Sequence, residues 1–255
     1  MTMRRLCGIL LLLACGAAAR ATPYTVPLVQ DAFVAEAAPD RVHGLPGQYG
    51  GALAVCGSSV LNGAGALAGR MDSFLQFSIA SILPQLDADF GHGAWQIQAV
   101  TLRIEEQTNP NNPFYGRGQG TFDVYWNPDD TWAEGTLTWN NAAGYLGGPL
   151  ELLADEVPSI GPQPQNQFVV HLLALELTAG FAADIPAGGP VSLYMTTQNP
   201  GLGLQFASMN NNTPSRRPYV VLEVGALVPE PASLGLLVAG LGAAMARRLR
   251  CRRGR

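Results

Sequence analysis

An alternation of apolar and polar residues with a period of two runs through this sequence. Val100, Leu102 and Ile104 are separated by residues that suit the opposite face of a strand. Because successive side chains of a β-strand point to opposite faces, this pattern predicts strands with one buried face. Similar segments occur at 75–79, 122–126, 191–196 and 220–224, and weaker ones at 28–36, 51–56, 166–172 and 203–208. Segments rich in Gly, Pro and Asn separate them, and residues 172–183 fit either a short helix or a strand that enters a turn. The sequence therefore predicts an all-β domain over residues 22–226, a β-sandwich or jelly roll.

Residues 1–21 have the three-part layout of a secretory signal peptide. Its parts are, in order, Arg4 and Arg5, an apolar stretch at 6–14, and the small residues Ala19 and Ala21. This layout predicts export by the Sec machinery and cleavage by signal peptidase before Thr22. A second interpretation takes residues 12–15 as a lipoprotein cleavage box with an acylated Cys15, although Leu13 fits such a box poorly.

Residues 227–255 predict a second membrane-directed signal. Its parts are, in order, Pro229, Glu230 and Pro231, an apolar helix over 232–246, and an arginine-rich end that includes Arg247, Arg248 and Arg250. A helix over 232–246 is about 22 Å long at ~1.5 Å per residue, which is shorter than the ~30 Å hydrocarbon core of a bilayer. The segment is therefore a short transmembrane helix that anchors only marginally. Its arginines predict a cytoplasmic end.

The order of these three parts at the chain end resembles the PEP-CTERM sorting signal. The resemblance covers residues 228–255. It implies transient anchoring in the inner membrane, processing near Pro-Glu-Pro by an exosortase, and delivery to the cell surface. Hosts of this family are typically Gram-negative bacteria that make exopolysaccharide. The alternative interpretation is an ordinary tail-anchored helix.

Charge divides unevenly between the predicted signals and the predicted domain. Residues 22–226 hold 6 of the 15 arginines and 18 of the 19 acidic residues, so their net charge is −12. A surface this acidic repels phosphate backbones, which argues against nucleic-acid binding. Cys56 is the one cysteine in this range, so no internal disulfide can form there. We interpret Cys56 as a small buried residue.

The succession of segments in the domain resembles the DNRLRE-type domain. The matching pieces are Asp31-Ala32-Phe33-Val34, residues 49–53, 74–77 and 97–104, then Val124-Tyr125, Trp132, residues 137–141 and 217–220. This resemblance covers nearly all of residues 24–226 and implies a jelly roll similar to the carbohydrate-binding modules of secreted proteins. The chain departs from the family pattern at 210–216, where the charged serine-arginine-glutamate stretch is missing.

Three of the four tryptophans, Trp126, Trp132 and Trp139, lie within a short acidic segment. Aromatic faces stack on the apolar face of a sugar, and nearby amides and carboxylates bind its hydroxyl groups. The candidate glycan-binding residues are Trp132, Trp139, Asn140 and Asn141. The competing interpretation is that the tryptophans are core residues and the acidic residues cap turns. Trp126 falls in the apolar phase of its strand, which favours the core for that residue.

Calcium is the one cofactor that the sequence suggests. Asn127, Asp129, Asp130 and Glu134 offer oxygen ligands of the kind that this hard cation takes in sets of 6–8. Their spacing lacks the alternation and the glycine of an EF-hand loop, so a solvated acidic turn is the competing interpretation. His43, His92 and His171 share no ligand spacing.

The sequence contains none of the common short catalytic motifs, neither Gly-x-Ser-x-Gly nor His-Glu-x-x-His nor a P-loop. We therefore expect a non-catalytic protein of the bacterial surface or extracellular matrix that associates with exopolysaccharide. Two alternatives stay open: a purely structural surface or biofilm protein without a ligand, and a secreted polysaccharide hydrolase.

Overall fold

The computed structural model describes residues 21–46, 52–61, 65–107, 120–159 and 168–227. The predicted signal peptide and sorting signal lie outside these residues, apart from Ala21 and Leu227 at their edges. Several predictions concern residues outside the described part, namely Cys15, Ala19, Pro229, Glu230, Pro231, Arg247, Arg248 and Arg250. No helix in the described part is long and apolar enough to cross a membrane.

The described chain is mostly β, as the period of two predicts. The strands are β1 (Thr22–Ala35), β2 (Ala52–Cys56), β3 (Met71–Ser78), β4 (Trp95–Gln107), β5 (Thr121–Asn127), β6 (Glu151–Pro158), β7 (Phe168–Leu175), β8 (Pro190–Thr196), β9 (Gly203–Ala207) and β10 (Tyr219–Ala226). The helices are short: α1 (Leu83–Phe90), α2 (Trp139–Ala142) and α3 (Ala179–Asp184), with 3₁₀ turns at Ile79–Ser81, Ala143–Leu146, Ile185–Ala187 and Pro214–Arg216. Every strand predicted from the sequence is present, and β6 is an addition.

All strand pairs are antiparallel. The first half of β1 pairs with β10, which pairs with β4, and β4 pairs with β7. The second half of β1 pairs with β3, followed by β8, β5 and β6. The strand changes partners between Pro27, which pairs with β10, and Leu28, which pairs with β3. A register shift follows directly, between Leu28 and Gln30. Strand β9 pairs with β2 and touches β4 at Glu106.

One large core collects the apolar side chains of both sets of strands. Val100 and Leu102 of β4 belong to it, together with Leu75 and Phe77 of β3 and Leu193 of β8. Burying side chains of this size contributes about 1.5–3 kcal/mol each, which is the main stabilisation available to a domain without disulfides. Cys56 is fully buried in a small adjoining cluster, which confirms its interpretation as a core residue. Burial raises the pKa of its thiol to about 12.

A second apolar cluster forms on the opposite face of β3. Alternation along the strand puts Phe74 on this face, together with Val34 of β1 and Tyr194 of β8. The long connection between β5 and β6, residues 128–150, covers it with Trp132 and Leu137. The cluster therefore joins the acidic, tryptophan-rich segment to the strands beneath it.

Candidate functional site

A pocket of about 250 Å³ opens where the 128–150 connection leaves the second cluster uncovered. Its walls come from the far end of β1, the start of β3, the end of β8, and α2 with the following turn. The lining residues are Val34, Arg70, Asp72, Phe74, Trp139, Ala142, Ala143, Leu146 and Tyr194. Most of them are apolar or aromatic, and the polar groups sit together on one side, an arrangement that is common in small-molecule sites.

Trp139 is the first residue of α2 and is only partly buried. The start of the helix is fixed by the Asn141 side chain, whose oxygen accepts the backbone N–H of Thr138 at 2.8 Å. Asn140 ties the helix to the β1 end, since its side chain donates to Asp40 at 2.7 Å and its backbone N–H to Pro39 at 3.1 Å. Asn140 and Asn141 thus hold Trp139 in place, and neither lines the pocket.

Arg70, Asp72 and Tyr194 form the polar side of the pocket, and the buried Thr196 lies behind them. The Nε of Arg70 donates to the Asp72 carboxylate at 3.1 Å. The Nη2 of Arg70 donates to the Tyr194 hydroxyl at 3.2 Å and to Thr196 Oγ1 at 2.8 Å. The Thr196 hydroxyl in turn donates to Asp72 at 2.6 Å. Each group is therefore oriented by another, as a pre-organised binding surface requires.

The charges of this network largely cancel. Burial opposes the charged form of Arg70, but Asp72 and Tyr194 together outweigh it and raise the pKa of the guanidinium. Burial, reinforced by Asp72, also raises the pKa of Tyr194, which keeps its hydroxyl neutral. Among the described residues the hydrogen bonds of the Arg70 side chain use Nε and Nη2, so Nη1 remains as a further donor.

Trp132, in contrast, belongs to the core. Its side chain is 1% exposed and packs edge-on against Phe74, with ring centroids 5.7 Å apart. Its indole N–H donates to Ser192 Oγ at 2.9 Å, so the polar atom is satisfied inside the protein. The glycan interpretation of Trp132 is corrected here, because no face of the indole reaches solvent. Trp126 packs against the main core as predicted, and its Nε1 donates to Asp184 at 2.9 Å.

The four residues considered for calcium do not converge. The Asn127 side chain is buried and donates to the Asp129 carbonyl at 3.2 Å. Asp129 caps a turn by accepting the N–H and the hydroxyl of Thr131, at 2.8 and 2.6 Å. Within the described ranges, no group of three or more His, Cys, Asp or Glu residues is arranged to hold a metal ion. These contacts fit the acidic-turn interpretation.

Glu134 lies near the buried carboxyl of Asp31. Asp31 is 1% exposed, and its Oδ2 accepts the backbone N–H of Met209 at 2.6 Å. Burial raises the pKa of Asp31 to about 7, and the nearby Glu134 charge adds to the shift. Burial also raises the pKa of Glu134 and brings that of Asp130 to about 6. The backbone N–H of Glu134 donates to the side-chain oxygen of Gln30 at 3.2 Å, which fastens the 128–150 connection to β1.

The three histidines lie in three different environments. His43 stacks on Phe33 with ring centroids 4.3 Å apart, and burial lowers its pKa to about 4. His92 is exposed and pairs with Asp87 at 2.8 Å. His171 is buried and pairs with the fully buried Glu106 at 2.9 Å.

The polar pocket residues, Arg70, Asp72 and Tyr194, are ones that the sequence analysis did not select. A signal for two of them exists: Arg70, directly before β3, alternates with Asp72 and Phe74, so the three lie on one side of the chain there. The comparisons with known proteins add no homologue to this picture. No protein-family model matches the chain, and no curated protein aligns with it significantly.

Proposed function

We propose that this chain is a non-catalytic glycan-binding protein of the bacterial surface, with its binding site in the pocket beside Trp139. The observation that supports the proposal is the pairing of a partly exposed indole with a pre-oriented set of hydrogen-bonding groups. Trp139 supplies the apolar face, and Arg70 and Asp72 supply a donor and an acceptor. This is the combination that a sugar ring needs, because it has an apolar C–H face and a rim of hydroxyl groups.

We also propose that the two sets of strands face each other as the layers of a jelly roll. The support is that β1 changes partners between Pro27 and Leu28 and that both sets of strands contribute to one core. Such a fold is similar to the carbohydrate-binding modules that the order of sequence segments resembles. The succession 31–34, 74–77 and 97–104 of that resemblance falls in β1, β3 and β4.

The proposed route to the surface begins with the signal peptide and uses the PEP-CTERM signal with an exosortase. The fold is compatible with both signals leaving the domain at one end, because Thr22 pairs with Val224. Val34, at the pocket, lies twelve residues further along β1, or about 40 Å at ~3.3 Å per residue along the strand. A transiently anchored precursor would therefore hold its pocket well away from the membrane.

An affinity gel tests the glycan proposal. The full-length protein, kept in a detergent without a sugar headgroup, is applied to immobilised exopolysaccharide from the producing strain. We expect retention of the wild type and loss of retention for Trp139→Ala. The matched control is Trp95→Ala, since Trp95 is also a partly buried tryptophan but does not line the pocket. Failure of the wild type to bind any polysaccharide would favour the purely structural alternative.

The same incubation tests the hydrolase alternative. Soluble sugars released from the gel are measured over a day at several protein concentrations. We expect no release above that of buffer alone, because the groups in the pocket already pair with one another. Release that scales with protein concentration and disappears in Asp72→Asn would support the hydrolase instead.

Intact-mass analysis tests the sorting proposal. The protein shed from cells is expected to begin at Thr22 and to lack the segment that contains Arg247, Arg248 and Arg250. An exosortase gene is expected in the same genome. A shed protein whose mass still includes the arginine-rich end would contradict processing near Pro231.

A further inference from the structure

We infer that the Trp139 pocket takes one neutral sugar residue, at a chain end or on a side branch, and does not bind an internal stretch of an acidic polysaccharide. The inference rests on the proposed glycan binding and names the class of ligand. Three independent features of the pocket support it: its size, its single accessible aromatic side chain and the balance of its charges.

The size of the pocket limits the length of its ligand. Sites for drug-sized molecules enclose about 300–1,000 Å³, and this one encloses about 250 Å³. Its lining comes from β1, β3 and β8 on one side and from α2 and the next turn on the other. The ligand thus enters between two walls, which suits the end of a glycan chain better than its middle.

The aromatic side chains point to a single sugar subsite. Three aromatic residues line the pocket, but Phe74 is fully buried and Tyr194 is 5% exposed. Trp139 is therefore the accessible stacking surface of this pocket. Binding of several successive sugars needs several exposed rings in a row, and the burial of Trp132 removes the neighbouring candidate.

The charges favour a neutral sugar. Arg70 is the one cationic residue that lines the pocket, and Asp72 neutralises it at 3.1 Å. A further carboxylate lies close by, because Glu36 accepts the backbone N–H of Arg70 at 2.9 Å. An acidic sugar would add a negative charge to this site, in a region of the chain that carries −12 in total. The hydroxyl groups of a neutral sugar carry no charge, so these carboxylates do not repel them.

A competition experiment tests this inference. Protein bound to the polysaccharide gel is eluted with a panel of neutral methyl glycosides, with methyl glucuronide, with methyl glucosaminide, and with linear oligosaccharides of two to four residues. We expect at least one neutral methyl glycoside to elute the protein. Its Kd is expected to lie within about threefold of the Kd for the oligosaccharides that end in the same sugar.

A pocket-filling variant provides the second arm. Ala143 is exposed and lines the pocket, so Ala143→Phe should block entry and abolish elution and retention. Ala133→Phe, at an exposed alanine that does not line the pocket, should behave as wild type. The inference is overturned if affinity rises more than tenfold from one sugar to four, if a charged glycoside is preferred, or if no single sugar elutes the protein. Absence of retention on every polysaccharide would instead overturn the proposed function itself.

Discussion

The Arg70 guanidinium and the Asp72 carboxylate form an ion pair at 3.1 Å where β3 begins, with 38% and 7% of their side chains exposed. The same carboxylate accepts the Thr196 hydroxyl from β8 at 2.6 Å. Asp72 therefore links two neighbouring strands at the edge of the pocket, and Arg70 compensates its buried charge. Loss of Arg70 would leave the buried Asp72 carboxylate without its cation, and loss of Asp72 would leave the Arg70 guanidinium without its counter-ion.

Substitution of Arg70 tests this pairing. We expect Arg70→Met to lower the free energy of unfolding by about 1–3 kcal/mol, because it leaves a buried carboxylate with one fewer donor. Asp72→Asn in the same chain should recover much of that loss. The measurement is a double-mutant cycle by urea unfolding. Strict additivity of the two single substitutions would contradict the coupling.

Trp132 and Trp139 should behave in opposite ways when substituted. Trp132→Phe is expected to cost about 2 kcal/mol, because it leaves a cavity and removes the hydrogen bond to Ser192. Glycan retention should survive at temperatures where the variant is folded. The midpoint of urea unfolding and the affinity gel measure the two effects. A stability loss below about 0.5 kcal/mol would contradict the core position of the indole.

The sequence predicted the strands better than the site, for physical reasons. Strand β6 was missed because Glu151–Pro158 lacks strict alternation, and its pairing with β5 shifts register on both sides of Val124. The roles of Trp132 and Trp139 differ because Trp132 packs edge-on against Phe74 and donates to Ser192, both distant along the chain, whereas Trp139 stays partly exposed. Local sequence carries no record of such contacts. The proximity of Tyr194 to Arg70 likewise depends on the pairing of β3 with β8.

The buried carboxyl of Asp31 should make stability depend on pH. Because its pKa is raised to about 7 in the folded protein, the folded state binds a proton that the unfolded state has lost between pH ~4 and ~7. Stability from this group is therefore greatest at low pH and falls as pH rises through that window, by at most about 4 kcal/mol. Asp130 acts in the same direction, and His43 acts in the opposite one.

Asp31→Asn isolates the contribution of Asp31. The amide oxygen can still accept the Met209 N–H, so the fold is preserved. Urea unfolding at pH 5 and pH 8 should show a clearly smaller decrease for Asp31→Asn than for wild type. Asp155→Asn, at an exposed position, serves as the control and should match wild type. Equal decreases in all three proteins would refute the assignment.

Gly57 lies where the chain leaves β2, against the 199–200 turn. A Cβ at this position would stand 2.0 Å from the Asn199 carbonyl oxygen and 2.6 Å from the Pro200 backbone. We expect Gly57→Ala to cost more than about 2 kcal/mol, since backbone atoms must move to accommodate it. Gly201→Ala should change stability little, because nothing lies within 4 Å of its added Cβ. Thermal unfolding of both variants checks the difference.

Retention of the full-length protein on exopolysaccharide, with and without the Trp139 indole, tests the central claim most directly. The account predicts that wild type and Trp95→Ala bind the gel, whereas Trp139→Ala elutes with the unbound fraction while it unfolds at nearly the wild-type urea concentration. Binding of Trp139→Ala at wild-type strength would contradict the account.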